Sequence, residues 1–182
     1  MRVRSLAARC AVLAGVALSV AGSAAVAQAG WSPVDRAMGR PGTTQPGEVH
    51  RYSFPRTDLR VTVGGIAVKP ALALGSWVAF RRMERGGGKA MAMGDLVLLE
   101  SEVTPVLTRL QAMGVAPTAL HNHLERESPH VMYLHIEAEG DPVRIAESVH
   151  AALGLTKTPP ASLPAAAAGG GRQAACVQCV GG

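Results

Sequence analysis

Apolar and polar positions begin to alternate near His50 and continue, with interruptions, to about residue 138. Arg51-Tyr52-Ser53-Phe54 alternates and stops at Pro55, while Leu59, Val61 and Val63 alternate with Arg60 and Thr62. Gly64-Gly65 and then Ile66-Ala67-Val68 follow. A period of two is the signature of a strand with one buried face. Two such runs around a Gly-Gly pair predict a hairpin, because both glycines reach positive φ without steric cost. A second hairpin is predicted from Trp77–Phe80, the loose turn Gly86-Gly87-Gly88, and the return run Ala90–Leu99.

The period then lengthens. Thr104 is a candidate N-cap with Pro105 at the first helical position, and Val106, Leu107, Leu110 and Met113 make an apolar stripe ending at Gly114. Asp141-Pro142 repeats that start signal, with Ile145, Val149 and Leu153 on one stripe and Gly154 as the stop. Between the helices, Pro117–His123 and Val131–Ala138 read as strands. Hairpin, hairpin, helix, two strands, helix predicts an α+β fold: a mostly antiparallel sheet with two helices packed on one face.

The flanks differ from this core. Arg2, Arg4 and Arg9 precede an apolar run from Ala11 to Val26, and Ala27-Gln28-Ala29 forms an A-x-A site. Residues 1–29 are therefore expected to be a signal peptide, and the protein exported to the periplasm or medium. The run is too short and alanine-rich for a membrane span, and Cys10 precedes it, which does not fit a lipidated cysteine. Residues 30–48, rich in Gly, Pro and Thr, read as a linker, and 49–158 as the domain. Residues 159–182, dominated by Pro, Ala and Gly, read as a disordered tail.

Removing the leader changes the charge picture. Three of 18 basic residues and none of the 13 acids lie within it, leaving a net charge of +2. With aromatics at 3% and arginines interspersed with acids, neither a phosphate stripe nor a base-stacking platform is visible, which argues against a nucleic-acid partner. Cys176-x-x-Cys179 lies in the tail without a second pair, so no disulfide framework holds the fold.

His121-Asn122-His123 and His135 carry the most chemistry. Residues i and i+2 of a strand share a face, so His121 and His123 project together. If the two strands pair antiparallel about a turn near Ser128, His121 falls opposite His135 and His123 opposite Tyr133. Three imidazoles then converge, and neutral imidazole is a common ligand of zinc and similar divalent ions. Glu100 or Glu127 can add a carboxylate ligand, and Glu125 or Glu127 a general base. The same histidines suit a bland role equally well, bonding to carboxylates and backbone to hold a charged turn. The letters His-Asn-His do not make the nuclease of that name, and the helices fit a cupin barrel poorly.

Other motifs carry less. Gly86-Gly87-Gly88-Lys89 lacks the upstream glycine and following hydroxyl of a phosphate loop. Arg56 and Asp58 read as a turn with an ion pair, Asp95 after Gly94 as a strand irregularity, and His130 and His150 as surface residues. Met91 and Met93 read as core, with copper a minor alternative. No Gly-x-Ser-x-Gly elbow appears.

The segments RYSFPRTDLRVTVGGIAVKPALALGSWVAF, MGDLVLLESEVTPVLTRLQAMGVAPTALHNHL and SPHVMYLHIEAEGDPVRIAESVHAAL together resemble the LppY/LpqO family, over about residues 31–158. The resemblance implies an exported bacterial domain without a settled activity. It also implies a unit commonly found in tandem, here in one copy without a lipobox. Three functional readings stand: a binding protein for a divalent metal or small ligand; a metal-dependent hydrolase of cell-envelope material; and an envelope interaction module, able to form a homodimer through a strand edge.

Overall fold

The computed structural model describes residues 30–85 and 87–159. The expected leader, Cys10, the tail from residue 160 and Cys176/Cys179 lie outside the described residues. The chain runs α1 (Ser32–Met38), β1 (Thr43–Gln45), β2 (Val49–Pro55), β3 (Thr62–Val63), β4 (Ile66–Ala67) and α2 (Pro70–Ala73). Then come β5 (Gly75–Arg82), β6 (Ala90–Leu99), α3 (Glu100–Ala112), β7 (Ala116–His121), β8 (Glu127–Ser128), β9 (Val131–Gly140) and α4 (Pro142–Leu153). Six strands form one sheet in the order β1-β2-β5-β6-β9-β7. Every pairing in it is antiparallel. A small second sheet has the order β4-β3-β8.

Alternation within the strands sorts their side chains onto two faces. Tyr52, Phe54, Val78, Phe80, Leu96, Leu98, Leu134 and Ile136 point to the inner face and form the main core with α1, α3 and α4. On the outer face, Val97, Val131 and Tyr133 join Leu59, Val61 and Leu74 in a smaller cluster, so α2 and the segment carrying β3 close only part of that face. Among the described residues no helix is long and apolar enough to cross a membrane.

Three features depart from the sequence reading. The segment 30–48 is not a linker: it contains α1 and β1, so three helices cover the inner face. A seven-residue helix does not hold itself together in water. Burial of Trp31, Val34 and Met38, each side chain contributing roughly 1.5–3 kcal/mol, is what holds it. Asp35 adds a polar anchor, its Oδ1 accepting from Tyr52 Oη at 2.7 Å, the Gly42 amide at 3.0 Å and His50 Nε2 at 3.0 Å. Thr44 Oγ1 closes the chain at 3.0 Å from His50 Nδ1, and Trp31 stacks on that imidazole with centroids 5.0 Å apart.

The second departure is the start of α3, at Glu100 rather than at Thr104. Glu102 Oε2 accepts the Leu99 amide at 2.9 Å, supplying an N-terminal cap one turn earlier. The same carboxylate grips the fully buried Arg56 in a fork, with Nη1 to Oε2 at 2.7 Å and Nη2 to Oε1 at 3.1 Å. Arg56 also donates to the Val97 carbonyl and to Asp58, so the expected Arg56–Asp58 turn is part of a larger buried network. Pro105 falls inside the helix, where it cannot donate to the Ser101 carbonyl.

Third, β6 is regular through Gly94, which pairs with Val78 and Ile136 without a bulge. The glycine is there for space: a Cβ would lie 2.8 Å from the Trp77 carbonyl oxygen and 3.0 Å from Ile136 Cγ1. Met91 and Met93, expected in the core, lie on the outer face and are exposed.

Candidate functional site

The open part of the outer face carries the polar residues. Trp77 pairs with Asp95, Asp95 with His135, and His135 with Ala119, so these side chains form one row across β5, β6, β9 and β7. The β7–β9 register differs by two residues from the one anticipated: His121 stands opposite Tyr133, not His135. A bulge between Pro117 and Ala119 accompanies the shift, and residues 122–130 are not a tight turn, because Glu127-Ser128 leave to pair with β3. A shift of two preserves the face. The His121 ring therefore reaches His135 diagonally, with centroids 4.8 Å apart. His123, just past the end of β7, folds back and stacks on Tyr133 at 3.6 Å.

The result is one group of three imidazoles, His121, His123 and His135, whose nearest ligand atoms all lie within 4.8 Å of one another. His121 Nε2 and His123 Nε2 are 3.0 Å apart. Tetrahedral zinc with Zn–N bonds near 2.05 Å sets its nitrogens about 3.3 Å apart. The closest pair already stands near that spacing, and movement of about 1.5 Å brings in the third ring. The donor set is thus of the right type and near the right size for a divalent ion of the zinc class.

Asp95, read from sequence as incidental, lies beside this group. Its Oδ1 is 3.8 Å from His135 Nε2. Both atoms are shielded from solvent and neither has a hydrogen-bond partner among the described residues. A metal-bound histidine characteristically turns its other ring nitrogen to a carboxylate, which fixes the tautomer and the ring orientation. The Asp95–His135 pair has the composition of such a support.

The glutamates behave differently. Glu127 is buried and turned to the backbone, with Oε1 accepting the Val131 amide at 3.3 Å and standing 3.5 Å from His130 Nε2. Asn122 Nδ2 contacts His130 Nε2 at 3.0 Å. The turn-holding role expected as an alternative for the cluster thus falls to Glu127, His130 and Asn122. Glu125 is exposed, as is Glu100, and neither belongs to the convergent group. His150 is on the surface of α4, its ring over Gly39.

Beside the imidazoles lies an open cleft of about 380 Å³, lined among others by Arg51, Ser53, Trp77, Asp95, His123 and Tyr133 and walled on one side by α2. Tyr133 Oη donates to the Ala73 carbonyl at 2.9 Å, pinning α2 to the sheet. Burial, then the charges of Asp95 and Glu127, push the Tyr133 phenol up to about 12, so it is a neutral donor at physiological pH. Also in the lining, the Arg51 guanidinium sits 4.1 Å from the centroid of the Trp77 ring.

Residues 32–155 match a protein family described as a Domain of Unknown Function (DUF1259). No curated protein and no solved structure matches the chain.

Proposed function

The chain belongs to the DUF1259 family of domains of unknown function, and from that footing we propose that it binds one divalent metal ion, of the zinc class, through His121, His123 and His135. The observation that carries this reading is the convergence of three imidazoles from two adjacent segments on an open sheet face, within 4.8 Å. Among the described residues, neither His121 nor His123 bonds to a carboxylate or to backbone: the contacts of these rings are with each other, with His135 and with Tyr133. Histidines that merely hold a turn have such partners. Asp95 supports His135 from behind. Binding is favoured over hydrolysis, since neither Glu127, buried with its Oε1 on the Val131 amide, nor Glu125 belongs to the convergent group.

Within the family we assign the chain to the LppY/LpqO type, on the three segments quoted above. The basic, apolar and A-x-A pattern of residues 1–29 supports export of the binding activity to the periplasm or medium.

Metal content decides the matter. Purified protein dialysed against zinc and then against buffer should retain close to one equivalent by elemental analysis. The His121→Ala/His123→Ala double variant should retain almost none while keeping its far-ultraviolet circular dichroism and melting temperature, because His123 is exposed, His121 only half-buried, and neither belongs to a core cluster. Wild-type protein without metal, or a folded double variant that keeps it, would overturn the reading.

A further inference from the structure

We propose that the cleft beside the histidines binds a small organic dianion, one acid group on the metal and the other on Arg51. The inference rests on the metal reading and names the ligand class of the same site.

Position comes first. Arg51 and Trp77 line the same cleft as Asp95 and His123. Its 380 Å³ falls at the lower end of the range typical of small-molecule sites, about 300–1,000 Å³. The backbones of Trp77 and His135 are each paired to Asp95, hence two strand spacings or roughly 10 Å apart, and the Arg51 guanidinium rests on the Trp77 ring. A metal–oxygen bond of about 2 Å at one end and guanidinium–oxygen contacts of about 2.8 Å at the other take up half of that distance. The remainder suits two acid groups joined by a short linker of two or three carbons.

Charge points the same way. A bound divalent ion, the Arg51 cation and the Asp95 carboxylate sum to two positive charges around the cleft, matched by a dianion and only half-compensated by a simple carboxylate. Arg51 is not engaged by any acid among the described residues; its recorded contact is the Trp77 face. A guanidinium resting against an indole loses less freedom on binding than a free one, and its donor fork pairs with carboxylate or phosphate oxygens. Trp77, half-buried, then provides an apolar floor for the linker, and Ser53, directly opposite Trp77 on β2, offers a hydroxyl at the rim.

Cobalt(II)-loaded protein tests this, because its visible spectrum reports changes in metal coordination. Succinate is titrated against acetate, which has one acid group, and against inorganic phosphate, which separates a two-ended carboxylate ligand from a compact anion. Succinate should perturb the spectrum at a concentration at least tenfold lower than acetate. That advantage should vanish in Arg51→Gln and survive in part in Arg51→Lys, both checked for an unchanged melting temperature. Trp77→Leu, which removes the platform but no charge, should weaken succinate and leave acetate alone. An equal response to succinate and acetate in the wild type, a preference for phosphate over both, or an undiminished succinate advantage in Arg51→Gln overturns the proposal. A cobalt spectrum that never forms sinks the metal reading itself, and the dianion site falls with it; a spectrum that forms but does not discriminate sinks the dianion site alone.

Discussion

Asp95 is the residue whose removal most directly tests how the proposed metal site is held. Its Oδ1 stands 3.8 Å from His135 Nε2, with both atoms out of contact with water. Two unit charges at that separation attract by about 4 kcal/mol at an effective dielectric of 20. An imidazole bound to a dication carries only part of a unit charge, so roughly a third to two-thirds of this value should couple to metal binding. That is about 1.4–2.7 kcal/mol, or a tenfold to hundredfold change in affinity, the range typical of carboxylates behind metal-bound histidines. Asp95→Asn keeps an acceptor oxygen and loses the charge, so it should weaken zinc about tenfold. Asp95→Ala loses both and should approach a hundredfold. Competition with a chromophoric chelator measures the affinities, and the melting temperature of the metal-free variants shows that the fold is intact. An Asp95→Asn protein binding zinc within twofold of the wild type would show that this carboxylate does not support the site.

Two further predictions concern the scaffold. Arg56→Met leaves the buried Glu102 carboxylate and Asp58 without their shared cation, and should cost about 3–5 kcal/mol in urea unfolding; a loss below about 1 kcal/mol would mean that the network is not the hub its geometry implies. The Tyr52 phenol, buried and donating to Asp35, is held neutral well above the usual tyrosine range, first by burial, then by that hydrogen bond and the Asp35 charge. Its folded value thus exceeds the unfolded one, near 10, so the stabilisation is complete below about pH 10 and is lost as pH rises beyond it. Wild-type urea midpoints should therefore fall more steeply above pH 10 than those of Tyr52→Phe, and parallel slopes would contradict the assignment.

The strands were legible because period-two alternation reports a buried face, and Asp141-Pro142 marked α4 by local chemistry that the structure repeats, with Asp141 Oδ1 accepting the Val143 and Arg144 amides. Signals depending on distant partners were not legible. Thr104-Pro105 mimics a helix start, yet Glu102, anchored by Arg56 from forty-six residues away, moves the cap upstream. α1 was hidden because its seven residues are stabilised by tertiary burial rather than by their own periodicity. The face shared by His121 and His123 followed from spacing alone. Asp95 was missed because nothing local announces that β6 lies beside β9. Once that pairing is known, parity puts Asp95 against His135.

The two polar hubs also tie down both flanks of the described residues. Trp31 lies buried against His50 beside the Asp35 cluster, and the Gly30 carbonyl accepts from Arg82 Nη2 at 2.6 Å. At the other end the Lys157 amide donates to Glu102 at 3.2 Å, the carboxylate that Arg56 holds. Fragments intended for biophysics must therefore retain at least 31–157: trimming at helix boundaries would sever an indole from its stacking partner at one end and a backbone donor from its buried acceptor at the other.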